Sequence, residues 1–145
     1  MKNNILILLV FLLAQTPVIA QNWHYDFNEA KQIAQKESKR IVLVFSGSDW
    51  CTPCIKLEKE ILSSDEFISY SNEHYVMLRA DFPRKRKNRL SAEQQKKNDD
   101  LAETYNPNGI FPLVVVLDKN GKIIGETGYE KISPKQFIEK LNSFK

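Results

Sequence analysis

The sequence predicts an α/β domain: a central, mostly parallel sheet of about four strands, with an antiparallel edge hairpin and helices on both faces. Three observations carry that expectation. The runs "IVLVF" (Ile41 to Phe45) and "LVVVL" (Leu113 to Leu117) are apolar without alternation and rich in β-branched residues, as strands buried on both faces are. Segments with apolar residues at helical spacing lie between the strand-like runs. Near the end, "DKNGK" offers Asn120-Gly121, a preferred two-residue hairpin turn.

The elements follow in order. "DFNEAKQIAQKESKR" (Asp26 to Arg40) reads as a helix, with Asp26 as N-cap and Glu29 completing a capping box. Phe27, Ala30, Ile33 and Ala34 fall on one face of it. After Ile41 to Phe45 the chain turns through "SGSD", where Ser48 or Asp49 can cap a helix that begins near Cys51. Pro53 sits in its first turn, where a missing N–H costs little. "SSDEFISYSNEH" continues as a further helical piece, and "YVMLRADF" (Tyr75 to Phe82) reads as a second strand. The basic run "RKRKNR" leads into a helix carrying Leu101, Ala102 and Tyr105 toward the core, which "NPNG" ends. Leu113 to Leu117 is the third strand, and "KIIGETG" pairs back with it at the sheet edge. Ser133 as N-cap and Pro134 at the first helical position open a last helix, with Phe137, Ile138, Leu141 and Phe144 on one stripe.

Residues 1–20 stand apart. Lys2 gives a short positive start, Ile5 to Ala14 is an unbroken apolar run, and "QTPVIA" ends in the small residue Ala20. That is the order of a secretory signal peptide cleaved between Ala20 and Gln21, and the run is short of the ~20 residues a spanning helix needs. The expectation is export to the periplasm and a single domain over residues 21–145. The 21 basic side chains nearly balance the 18 acidic ones, so net charge names no partner class.

Both cysteines lie in "DWCTPC". As a staple, a disulfide between them closes a loop of two intervening residues and restrains little. As half of a metal site they need His24 and His74, which lack ligand spacing to each other or to the cysteines. As a redox couple they are well placed. Cys51 at a helix start gains from the helix dipole and free N–H groups, which lower a thiol pKa. Cys54, one turn further in, is the covered thiol that resolves a mixed disulfide.

"DWCTPC" between a buried strand and a helix, with "GIFP" before a later strand, resembles the thioredoxin-like superfamily over essentially all of residues 21–145. The form "SGSDWCxxC" is most similar to exported thioredoxin-domain proteins of Gram-negative bacteria. The resemblance implies a thiol–disulfide oxidoreductase in which Cys51 attacks, exposed and anionic, and Cys54 resolves. It implies a cis Pro112 facing the sulfurs and Phe111 pairing with the backbone of a substrate. Trp50 is expected beside the reactive sulfur as exposed apolar contact surface. No cofactor or metal is expected, since the dithiol carries the two electrons. The partners it implies are proteins with disulfides or thiols and a membrane or periplasmic redox protein that recycles the dithiol, with the chain a monomer.

Two positions depart from the family pattern. Phe45 stands where many thioredoxins have a buried acid that helps deprotonate the second thiol, and Phe111 is bulkier than the usual residue before the proline. The proton of Cys54 then leaves through water or through another acid, with Glu58 and Asp49 the candidates. The stretch Pro83 to Asp100 is longer than a minimal thioredoxin needs. Its basic run Arg84 to Arg89 has no interleaved aromatic residues for nucleic acid and reads as a solvated loop, partly balanced by Asp99, Asp100 and Glu103, with a capacity to steer acidic partners. Thr52-Pro53 puts no histidine beside the nucleophile, which favours the reducing direction. The alternatives are a protein-binding or chaperone-like module with a dispensable dithiol, and a Cys/His metal-binding protein.

Overall fold

The computed structural model describes residues 19–145. The expected signal peptide therefore lies outside the described residues except for Ile19 and Ala20. The elements are β1 (Trp23–His24), α1 (Phe27–Glu37), β2 (Arg40–Ser46), α2 (Thr52–Leu57), α3 (Asp65–His74), β3 (Tyr75–Asp81), α4 (Ala92–Tyr105), β4 (Leu113–Leu117), β5 (Ile123–Thr127) and α5 (Pro134–Ser143). A π-helical turn, Glu58–Leu62, extends α2, and a 3-10 turn, Arg86–Asn88, interrupts the basic run.

The sheet has five strands in the order β1-β3-β2-β4-β5. β3 runs parallel to β1 and β2, while β4 runs antiparallel to both β2 and β5. The α/β architecture with its edge hairpin is as the sequence predicts. The sheet is evenly mixed rather than mostly parallel, and β1 is an additional strand. Strand direction is invisible in a run like "LVVVL", because a strand buried on both faces is continuously apolar whichever way it points.

Alternation sorts the strand residues onto two faces. Val42, Val44, Met77, Val114 and Val116 meet Leu57, Ile61, Phe67, Phe137 and Leu141 from α2, the π turn, α3 and α5. Ile41, Leu43, Phe45, Leu78, Val115 and Leu117 meet Ala30 and Ala34 of α1 and Leu101 of α4 on the other side.

The caps explain where the helices begin. The Asp26 carboxylate accepts the Glu29 N–H at 3.0 Å, while the Glu29 side chain faces His24 instead of closing the box. At α5 the box is complete: Ser133 Oγ accepts from the Gln136 N–H, and Gln136 Oε1 accepts from the Ser133 N–H. Phe137, just inside this cap, is fully buried. Phe137→Ala should lower the unfolding free energy by about 3–5 kcal/mol in a urea titration. Ser133→Ala, which removes only the cap, should cost about 1 kcal/mol in the same measurement.

Candidate active site

β2 ends at Ser46, and the chain turns through Gly47 to Trp50 before α2. Gly47 is required there by contact, since a Cβ at that position would run into the Trp50 indole. Cys51 is itself the N-cap of α2, with extended backbone (φ −93°, ψ 102°), and its sulfur accepts the Cys54 N–H at 3.3 Å. The sequence points to Ser48 or Asp49 as caps, but tertiary partners claim both. Ser48 donates its N–H (3.0 Å) and its hydroxyl (2.6 Å) to Asp81. Asp49 accepts the N–H groups of Arg84 (2.9 Å) and Lys85 (3.0 Å) and the Asn88 side-chain amide (2.8 Å).

Cys51 and Cys54 are joined by a disulfide. In this oxidised form Cys51 is 5% exposed and Cys54 3%, so the contrast expected between an exposed and a covered thiol is absent. Their surroundings differ instead. Cys54 Sγ accepts the Gly47 N–H at 3.5 Å and lines a pocket of about 380 Å³ together with Ser46, Ser48, Ile55, Glu58 and Arg79. The N–H aimed at Cys51 Sγ favours negative charge on that sulfur once the disulfide opens.

The pocket carries the polar groups that Phe45 does not. Phe45 is fully buried in the apolar layer beneath α1 and α4. Ser46 points to the opposite face by alternation, as does Arg79, which pairs with the Glu58 carboxylate. The other Glu58 oxygen accepts the Ser63 hydroxyl at 3.0 Å. The Arg79 guanidinium lies 3.8 Å from the centre of the Trp23 ring, and its Nε is buried without a partner. Arg79 is absent from the candidates above. Its signal was a basic residue within the mostly apolar "YVMLRADF", in which Asp81 is the other charge.

The second wall is aromatic. The Phe111-Pro112 bond is cis, as the resemblance implies. Phe111 meets Trp50 and Phe82 edge-on, each at a ring-centre distance of 5.5 Å. Trp50 is half-buried rather than open contact surface: its Nε1 donates to the Phe82 carbonyl at 2.7 Å, and the Arg84 guanidinium covers its ring at 3.6 Å. Ile55 and Ile110, the residues next to Cys54 and Phe111, are 45% and 51% exposed. The two histidines stand apart from these groups: His24 faces Glu29, and His74 stacks on Tyr70. Among the described residues no three His, Cys, Asp or Glu gather as a metal site.

The N–H of Arg84, followed by the Asn88 amide, holds the Asp49 carboxyl below its ordinary value of 3.8. A depressed carboxyl stabilises the folded arrangement fully above the ordinary value and loses that contribution as pH falls through the depressed one. The Arg84 and Lys85 amides should therefore keep their hydrogen-exchange protection down to pH values below 3.8 and lose it at every pH in Asp49→Ala.

A thioredoxin-like domain family model matches residues 27–145. The disulfide bond reductase DsbH of Chlamydia pneumoniae is 37% identical over 128 residues, covering 88% of this chain and 75% of that one. The thioredoxin-related protein DsbJ of the same organism is 36% identical over 110 residues, 74% of this chain and 31% of its own length. A solved structure of a DsbH oxidoreductase superposes with a TM-score of 0.78 at 34% identity, covering 91% of this chain and 90% of that one. With the disulfide at a strand-to-helix turn and the family matched from α1 to the last residue, the chain belongs to the thioredoxin-like domain family and is a thiol–disulfide oxidoreductase.

Proposed function

We propose that this oxidoreductase works in the reducing direction on disulfides of exported proteins in the periplasm. The observation that carries the reading is the Cys51–Cys54 disulfide at the start of α2 with an uncharged Thr52-Pro53 between the sulfurs. A histidine there would stabilise the thiolate and favour an oxidant. The likeness to a protein named a disulfide bond reductase supports the same direction.

In the reduced protein the Cys51 thiolate attacks one sulfur of the substrate disulfide. A mixed disulfide forms and the first substrate thiolate leaves. Cys54 gives up its proton and attacks Cys51 Sγ, releasing the second substrate thiolate. The substrate has gained two electrons, and the chain holds the Cys51–Cys54 disulfide, which a dithiol protein of the periplasm or membrane reduces again. Phe111 and Pro112 contact the substrate segment, with the half-buried Trp50 backing that wall under Arg84. Glu58 takes the proton from Cys54 through the pocket the two share, held in place by Arg79. Asp49 serves the loop instead, because its three hydrogen-bond partners all come from Arg84 to Asn88. No cofactor enters these steps.

Equilibration with thiol buffers should give a potential near the reducing end of the superfamily, about −270 mV, and a value near −120 mV would reverse the assigned direction. Cys51→Ser should abolish disulfide reduction, and its survival would favour a binding module. Cys54→Ser should accumulate mixed disulfides in periplasmic extract. Glu58→Gln should slow the resolving step by on the order of 100-fold at neutral pH, recovering as pH approaches the thiol's own pKa. Rapid-mixing Trp fluorescence reads that step, and an unchanged rate would remove Glu58 from it.

A further inference from the structure

We propose that the loop from Arg84 to Arg89 is a docking surface for an acidic segment of the partner protein, next to the disulfide or dithiol that this partner presents to Cys51. The inference rests on exchange with a protein partner and names the chemistry that partner carries.

Five of the six loop residues are cations, and all six are exposed. Among the described residues, none of Arg84, Lys85, Arg86, Lys87 or Arg89 lies within ion-pair distance of a carboxylate, whereas Lys96 pairs with Asp100 and Lys97 with Asp26 and Glu93. Of the three acids that the sequence offers as a counterweight, two are engaged along α4, Asp100 by Lys96 and Asp99 by the Gln95 amide, and among the described residues Glu103 forms no ion pair with the loop. The five charges exceed the formal net charge of the whole chain, +3, so the excess is local. Unpaired cations concentrated in one loop make a field that a complementary anion lowers in energy.

Position makes the loop part of the site. Asp49, two residues before Cys51, binds its first two N–H groups and the Asn88 side chain, and Arg84 lies flat on Trp50. Between loop and cis-proline runs a groove of about 380 Å³, lined by Trp50, Phe82, Arg84, Gln95, Gly109 and Phe111. A chain lying in that groove passes from the Phe111 side to the cationic loop. Charge attraction at such a rim acts chiefly on the association rate and weakens with salt. The loop opens into a groove walled by Trp50, the residue before Cys51, and Phe111, the residue before the cis-proline, which favours a protein partner over a lipid surface.

The test compares two synthetic disulfide peptides, identical except for three Glu or three Gln beside the cysteine, reduced by the full chain in its dithiol form. The Glu peptide should show a kcat/KM roughly tenfold higher at low salt, and the advantage should vanish toward 1 M NaCl. In the variant carrying Lys85→Glu, Arg86→Glu and Lys87→Glu the ratio should fall to one or below. Equal rates for the two peptides in the wild-type protein, or a ratio that ignores salt, would overturn the proposal whether or not the variant folds. Binding of the wild-type protein, but not the variant, to phosphatidylserine-containing vesicles without any peptide preference would overturn it in favour of an anionic membrane. Hydroxyethyl disulfide distinguishes the underlying reading: if the wild-type dithiol fails to reduce even this uncharged disulfide, exchange itself falls and the docking proposal with it.

Discussion

Strand β2 hydrogen-bonds to β3 along one edge and to β4 along the other, and Ile41 to Phe45 are buried on both faces. Its register with each neighbour locates the site. Ser46 stands opposite Asp81, so the chain leaving β3 reaches Phe82 and the basic loop at the end where Cys51 begins α2. Phe45 stands opposite Leu113, so the residue that precedes β4, Pro112, lies at that same end. Disulfide, cis-proline and loop are thus neighbours because β2 and β3 end where β4 begins. A slip of one residue in either pairing would turn alternate side chains to the wrong face and separate these segments.

The polar chemistry near Cys54 has moved across the sheet. With Phe45 committed to the apolar layer under α1 and α4, charged groups approach from the other face, through Arg79 on β3 and Glu58 in the π turn. A π turn widens the helix by one residue, seen here in the bond from the Ser63 N–H to the Glu58 carbonyl. Glu58 therefore heads a turn whose spacing differs from that of a regular helix continuing from Cys54. The ion pair is neutral as a unit, so it brings a carboxylate into the pocket that Cys54 lines without itself adding net charge there.

What could be read in advance was local. The strand-to-helix placement of "DWCTPC", the Asp26 and Ser133 caps, a hairpin after β4 and the two apolar strands each depend on a few adjacent residues. The hairpin itself turns through three residues, Lys119 to Gly121, and not through Asn120-Gly121 alone: the Gly121 N–H donates to the Asp118 carbonyl, and only Gly121 takes a positive φ. The remainder depends on partners distant in sequence. Trp23–His24 is too short to show any period, and only pairing with β3 makes it a strand. Ser48 and Asp49 look like caps until Asp81 and the Arg84 to Asn88 segment claim them, leaving Cys51 to cap its own helix. The Glu58–Arg79 pair spans 21 residues and joins two elements whose proximity no local pattern announces. Cys51 is covered because packing over the oxidised pair covers it, which a helix-start position alone does not convey.

The two outer rims of the sheet bear on how partners reach the protein. β1 ends after two residues, which leaves too short a row of free N–H and C=O groups to template another strand. On the far side the β4–β5 register shifts between Val116 and Leu117, and charged Lys122 precedes β5 while Glu126 lies within it. Irregularity and charge both disfavour edge-to-edge pairing. A protein brought close enough to exchange disulfides is thereby denied the commonest route to a permanent β-complex. A protein that exchanges disulfides at the sulfur-bearing end of the sheet finds no long, regular edge strand there to hold it afterwards.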